Sequence, residues 1–335
     1  MHMPDGIIPI EQAIIYLVVS IIFIGISVWK SKKYLSMKQI PVIGVLAAGL
    51  FAAQMFNFPV IGGTSGHLIG TSLATVLVGP WVAILILSSI LIVQALFGDG
   101  GFLAYGVNVL NMAIVGAFVT IGILYLFSKK WRDDRKKYAI IAGIAGFIST
   151  LFMAFFASTE LAIANAGSPT IIYGSMMSVH AVIAIAEAII TFTIIFFLFK
   201  ADNSIFQAAK LSVFGDAQME ETEPKFKFPT WAVIVSGGIF ALMTLLGFVL
   251  PLIGGDNPDG LEATLIKISQ EGSSYTIPIF NFPEGFGWDV LQMAILMVFL
   301  FIFLFGTSYL MYRIRLFQYK KKHEDSSIVI DDKNN

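Results

Sequence analysis

The 335-residue sequence contains no cysteine. That absence excludes disulfides, thiolate metal sites, iron–sulfur clusters and a cysteine nucleophile. Charge is also scarce: Asp, Glu, Lys and Arg make up 13% of the chain, against roughly 25% in a soluble domain. The sequence has no GxxxxGK[ST] loop, so it carries no Walker-type ATPase site of its own. It has no HExxH and no recognisable hydrolase triad, and an enzyme is not expected. The net charge of −1 says nothing about nucleic acid, and no basic stripe suggests it.

What fills the chain instead is apolar. Hydrophobic residues make up 57% of it, with a mean hydropathy of +0.82. Apolar runs recur from Ile7 to Tyr312, many of them long enough to cross roughly 30 Å of hydrocarbon. Backbone in lipid must satisfy its own hydrogen bonds, so these runs are predicted to be helices. A β-barrel would show short alternating segments. The expected fold is all-α, a polytopic membrane protein with spans at 7–29, 40–57, 67–79, 81–97, 103–127, 138–157, 176–199, 230–252 and 288–312. The third is short for a full crossing. The first lacks a basic leader and a clear cleavage site, so it reads as a retained helix.

Charge orients the spans. With the N-terminus outside, the inner segments are 30–39, 80, 128–137, 200–229 and 313–335. They hold 20 of the 21 lysines and arginines, and only Lys267 falls outside. Positive charge favours the cytoplasmic side. Joining spans three and four across Gly79-Pro80 would put Ser128–Tyr138, the most basic loop, outside, so the split is preferred. A plasma-membrane protein with a cytoplasmic C-terminus is expected. Residues 1–199 form a seven-helix substrate-binding module and 200–229 a polar cytoplasmic linker. Residues 230–315 form a two-helix transmembrane hairpin whose long loop, 252–287, is outside, and 316–335 form a cytoplasmic tail.

Two of the four histidines, His2 and His67, fall on the outer face. Met1 should be retained, because methionine aminopeptidases need a small second residue. Its amine, the His2 backbone nitrogen and the His2 imidazole can close adjacent five- and six-membered chelate rings. His67 could supply a fourth nitrogen, and Gly62, Gly63 and Gly66 would let its loop approach closely. Square-planar nitrogen suits Ni(II) or Cu(II), and imidazole-rich sites accept cobalt. The blander readings are a disordered terminal His2 and a His67 that caps a helix end. His180 lies just inside the outer end of span seven, with Glu187 two turns on along the same helix face. Gln54, Asn57, Gln94, Asn108 and Asn111 read as interhelical hydrogen bonds. The sharper reading for Asn57, Asn108 and Asn111 is support of a metal site. Asp99, in a GDGG run, reads as a turn residue rather than a ligand.

The opening Met1-His2-Met3-Pro4-Asp5-Gly6 resembles the MHIPDG start of the CbiM/NikM family, the substrate-specificity components of cobalt and nickel energy-coupling-factor transporters. The runs QMFNFPVIGGTSGHLIG (54–70), GPW (79–81), QALFGDGG (94–101), NVLNMAIVG (108–116) and HAVIAIAEAIIT (180–191) are similar to that family's motifs. The likeness covers about residues 1–199. Asn257–Glu262 resembles the PDGLE signature of CbiN/NikN-type small subunits, so the chain looks like a fusion of two subunits. The resemblance implies metal ligation by the Met1 amine, the His2 backbone nitrogen and imidazole, and the His67 imidazole. Met3 stands where Ile is usual, which leaves the chelate intact. It implies an uptake function in which Ni2+ or Co2+ is cargo, with no cofactor. It also implies two partners in the lipid bilayer system, a transmembrane coupling component and cytoplasmic ATP-binding-cassette ATPase subunits. Fusion tilts the metal toward nickel. Asp259 and Glu262, in the acidic outer loop, are candidates for gating the site, as is His180. The alternative is a metal sensor or membrane scaffold that transports nothing.

Overall fold

The computed structural model describes residues 1–34, 40–55, 57–60, 64–96, 99–201, 203–214 and 260–270. The helices are α1 (Ile10–Tyr34), α2 (Ile40–Gln54), α3 (Thr71–Val78), α4 (Pro80–Leu96), α5 (Tyr105–Asn108), α6 (Gly116–Trp131), α7 (Arg135–Ile163), α8 (Pro169–Ala201), α9 (Asn203–Phe214) and α10 (Gly260–Gln270). A π-helical stretch, Val109–Val115, joins α5 to α6. A small antiparallel ribbon, β1 (Asn57–Val60) with β2 (Thr64–His67), stands between α2 and α3. Among the described residues, four helical segments are long and apolar enough to cross a membrane: Ile10–Ser31, Tyr105–Phe127, Arg135–Ile163 and Pro169–Ala201. The protein is an all-α polytopic membrane protein. Helix α1 turns Ile14, Ile15, Ile21 and Ile22 outward, as a helix facing lipid does.

The break between α3 and α4 falls where charge placed it. Gly79 adopts φ 79, ψ 164, a backbone state that L-residues resist. Pro80 then opens α4, where its missing N–H costs nothing. Helix α3 has eight residues, all buried, and spans only about 12 Å. Polar side chains tie it to its neighbours. Ser72 Oγ lies 2.7 Å from Thr120 Oγ1 and 2.6 Å from Ser149 Oγ, the kind of interhelical bond that holds helices together where no water competes.

Three expectations need correction. Residues 158–173 are not an outer loop: α7 runs to Ile163 and α8 starts at Pro169, leaving a short turn with Asn165 at φ 52. His67 does not open a helix but ends a strand, and α3 begins only at Thr71. The linker begins as a docked helix, because Lys210 pairs with Asp133 and Arg135 donates to the Phe199 carbonyl and to Asn203. Phe206 and Phe214 of α9 pack on Tyr138. Within the expected outer loop 252–287, residues 260–270 are helical. The two hairpin spans, the tail and Asp259 lie outside the described residues.

Helix α9 seats directly beneath the α3–α4 turn, where a Cβ on Gly79 would come 2.5 Å from the Ser212 carbonyl oxygen. Gly79→Ala therefore meets both backbone strain and a clash, and should lower stability by on the order of 2 kcal/mol or more. Gly122→Ala, which has nothing within 4 Å, is the control. Thermal unfolding midpoints in detergent check this, and equal midpoints for the two variants would refute the α9 seat.

Candidate metal centre

The amino terminus does not trail into solvent. Met1, His2 and His67 are 4%, 6% and 5% exposed. The Met1 amine lies 3.2 Å from Nε2 of His67. Nδ1 of His67 donates to the Leu68 carbonyl at 3.1 Å. A carbonyl only accepts, so the lone pair of the neutral ring sits on Nε2, the nitrogen facing the amine. The His2 ring stacks on the His67 ring, with centroids 4.8 Å apart and planes 14° apart. An amine and two imidazoles thus share one buried spot.

Each is placed by the chain around it. Asn108, at the end of α5, clamps the Met3 backbone from both sides: Met3 N donates to its Oδ1 (2.7 Å), and its Nδ2 donates to the Met3 carbonyl (3.0 Å). Gly101 N adds a second donor to that carbonyl at 2.8 Å. Two residues on, the Asp5 carboxylate accepts from Phe102 N and Ala104 N, each at 2.9 Å. Helix α5 has no side-chain cap of its own, and Asp5 supplies acceptors there. Gly100 and Gly101 are needed for this closeness. A Cβ on Gly100, at φ 98, would crowd Asn108 and His2, and one on Gly101 would overlap Asp5. The PDG and GDGG runs are therefore two halves of one contact.

His67 is delivered by the ribbon, in which Asn57 stands opposite it in the ladder. After His67 the chain turns through Gly70, at φ 74, into α3. The Gln54 amide donates to the Ile69 carbonyl at 2.7 Å. The carboxylate of Glu187, reaching in from α8, accepts from Ile69 N and from Gly70 N, the latter at 2.9 Å.

Asp99 was read as a turn residue, and it is more than that. Its Oδ1 lies 3.1 Å from Nδ1 of His2, and Gln94 Nε2 donates to its Oδ2 at 3.3 Å. Burial alone would raise its carboxyl. The His2 charge and hydrogen bond, with His67 and the amino terminus, outweigh that and hold it below the usual carboxylate range. Among the described residues, Nε2 of His2 is buried without a hydrogen-bond partner.

The remaining candidates divide. His180 lines the same cavity as Met1, Gly66, His67, Ile69, Ile183 and Gly260, with Nδ1 bonded to the Met176 carbonyl at 2.8 Å. Gly260, at the start of α10, seats against it: a Cβ there would lie 3.0 Å from His180 Cε1. Glu262 sits in the first turn of the same helix but on its exposed side. Asn111 donates to Glu160, a buried residue that the misplaced loop concealed. Asp5, Asp99 and Glu160 are the polar groups that sequence reasoning missed or undervalued. For the first two, the signal was the pairing of two Asp-Gly runs.

The chain as a whole is similar to known proteins. The CbiM family, described as the cobalt uptake substrate-specific transmembrane region, matches residues 2–205. A putative fused nickel transport protein of Archaeoglobus fulgidus is 32% identical over 291 residues, covering 83% of this chain and 89% of that one. A cobalt transport protein CbiM of Sorangium cellulosum is 31% identical over 170 residues, 49% of this chain and 72% of its own. The crystal structure of a transition metal transporter superposes with a TM-score of 0.55 at 30% identity, covering 62% of this chain and 97% of that one. With the match spanning most of the described helices, from His2 past the end of α8, this chain belongs to the CbiM family of membrane transport proteins.

Proposed function

We propose that the chain is the metal-binding membrane subunit of an ATP-driven energy-coupling-factor uptake transporter, and that it captures Ni2+ or Co2+ from outside. Four nitrogens would hold the ion: the Met1 amine, the His2 backbone nitrogen, Nδ1 of His2 and Nε2 of His67. The observation that carries this reading is the 3.2 Å approach of the amine to the lone-pair nitrogen of His67. Neighbouring ligands on one small ion stand about that close. A deprotonated backbone nitrogen closes the two chelate rings that the amine and Nδ1 complete.

Binding rearranges one contact. Nδ1 of His2 now faces Asp99, and a nitrogen that donates a lone pair to a metal cannot also donate a proton to a carboxylate. The ion therefore takes Nδ1 from Asp99, whose negative charge stays beside the complex. Helix α10, with Gly260 against His180 at the cavity, covers the site and would have to admit the ion, so the PDGLE segment acts as a gate. ATP hydrolysis belongs to partner subunits that engage the cytoplasmic side through a transmembrane coupling component. The match to the fused nickel transport protein extends over 83% of this chain, beyond the family's 2–205. That shared extent and the planar nitrogen set favour nickel.

The ligand set is open to direct tests. Adding one residue before Met1 moves the amine out of the chelate, so tight binding should vanish in a nickel titration of the purified protein. His67→Ala should weaken it as well. If both variants still bind as the native chain does, the ligand assignment is wrong. Asn108→Ala leaves the buried Met3 N–H unsatisfied, at a cost of about 1–3 kcal/mol, and should weaken nickel by roughly 5- to 150-fold. Native affinity in that variant would show the clamp to be irrelevant. Binding should also fall steeply in acid, because amine, amide and imidazoles must all lose protons. Calorimetry in buffers of different ionisation enthalpy reads the released protons directly, and an unchanged affinity from neutral pH to pH 5 would contradict the nitrogen set. Uptake of labelled nickel in cells with and without partner subunits separates a transporter from a sensor.

A further inference from the structure

Glu187 is a buried carboxylate in the middle of α8, and nothing in the proposed chemistry uses it. Its surroundings say what it does. One oxygen, Oε1, accepts from two consecutive backbone groups, Ile69 N and Gly70 N. Those groups lie two and three residues after His67, at the point where strand β2 becomes helix α3. Helix α3 has Gly70 at its N-cap and no side-chain cap. Glu187 Oε1 thus fills the N-terminal acceptor position from another helix.

The same peptide is pinned on its other side, because Gln54 donates to the Ile69 carbonyl at 2.7 Å. The platform beneath Glu187 is itself rigid: a Cβ on Gly146 of α7 would come 3.3 Å from the Glu187 carbonyl oxygen, so α7 and α8 are in close backbone contact there. Between His67 and the pinned peptide only Leu68 intervenes, and its carbonyl is the acceptor that fixes the His67 ring. A displacement at Ile69 is therefore passed to the imidazole.

We propose that Glu187 is the positioning residue for the fourth ligand, holding the Ile69–Gly70 peptide so that Nε2 of His67 faces the Met1 amine. This inference rests on the ligand set proposed above. It goes beyond a helix cap, because a cap alone would affect stability and leave the metal's surroundings unchanged.

The test uses the full chain in detergent with Ni2+ alone as the probe, read by calorimetry and by the ligand-field absorption of the bound ion. Glu187→Leu, which removes the acceptor for Ile69 N and Gly70 N, should weaken nickel by about 10- to 100-fold, the usual effect of removing a group that orients a ligand. Its absorption band should move toward that of His67→Ala. In the double variant, Glu187→Leu should add no loss to that of His67→Ala. Native affinity and band in Glu187→Leu would overturn the proposal, as would an equal loss in the two backgrounds. If Glu187→Leu does not elute as a folded, monodisperse species, Glu187→Asp, one methylene shorter, is read by the same criteria. Failure of the underlying ligand set shows itself separately, as native binding in His67→Ala alone.

Discussion

Burying an amino terminus inside a helical bundle is expensive, because a charged amine loses its water. Here the cost is met by an imidazole lone pair 3.2 Å away and by backbone contacts that hold the next four residues. Met3 is bonded by Asn108 and Gly101, and Asp5 bonds the turn before α5. The terminus is thereby held by contacts from three separate segments of the chain. A chelate that uses a backbone nitrogen needs this, since the chain must present amine, amide and ring together without a large ordering cost at the moment of binding.

Irregular backbone in a membrane protein is tolerated where it is buried in protein or lines a cavity, and among the described residues several irregular elements gather around the site. The ribbon, the left-handed Gly70, the short helix α3 and the π-helical turn at 109–115 all adjoin it or lie one turn below. Within the π-helical turn, the Met112 carbonyl accepts from Thr71 at the head of α3. Helix α8 ties two parts of the centre together, meeting Gly260 of α10 through His180 and the His67 strand through Glu187.

Much of this was legible in the sequence because lipid makes the rules strict. Hydropathy and the placement of lysine and arginine anticipated that residues 1–201 are largely helical, including the break at Gly79-Pro80. Composition and one unusual terminus pointed to Met1, His2 and His67, and the structure brings those three together. The misses have physical reasons. Asp99 read as a turn residue and Asp5 was given no role, because pairing between runs about 95 residues apart leaves no periodic trace. Ser158–Ile163 is polar enough to read as loop, yet it is a helix end whose Glu160 is sheltered by Asn111. Helix α9 lay in a stretch judged by its acidic second half. Asn57 and Asn111 are polar in apolar runs, but a one-dimensional pattern cannot say which neighbour they face. The structure sets Asn57 opposite His67 and turns Asn111 toward Glu160.

The central claim is that one ion is held by nitrogen alone, drawn from the first two residues and His67. X-ray absorption of the nickel-loaded protein counts donors and identifies them most directly. The account predicts a four-coordinate, planar nickel with nitrogen donors and the scattering pattern of two imidazole rings. A six-coordinate ion with oxygen donors, or a single imidazole, would contradict it.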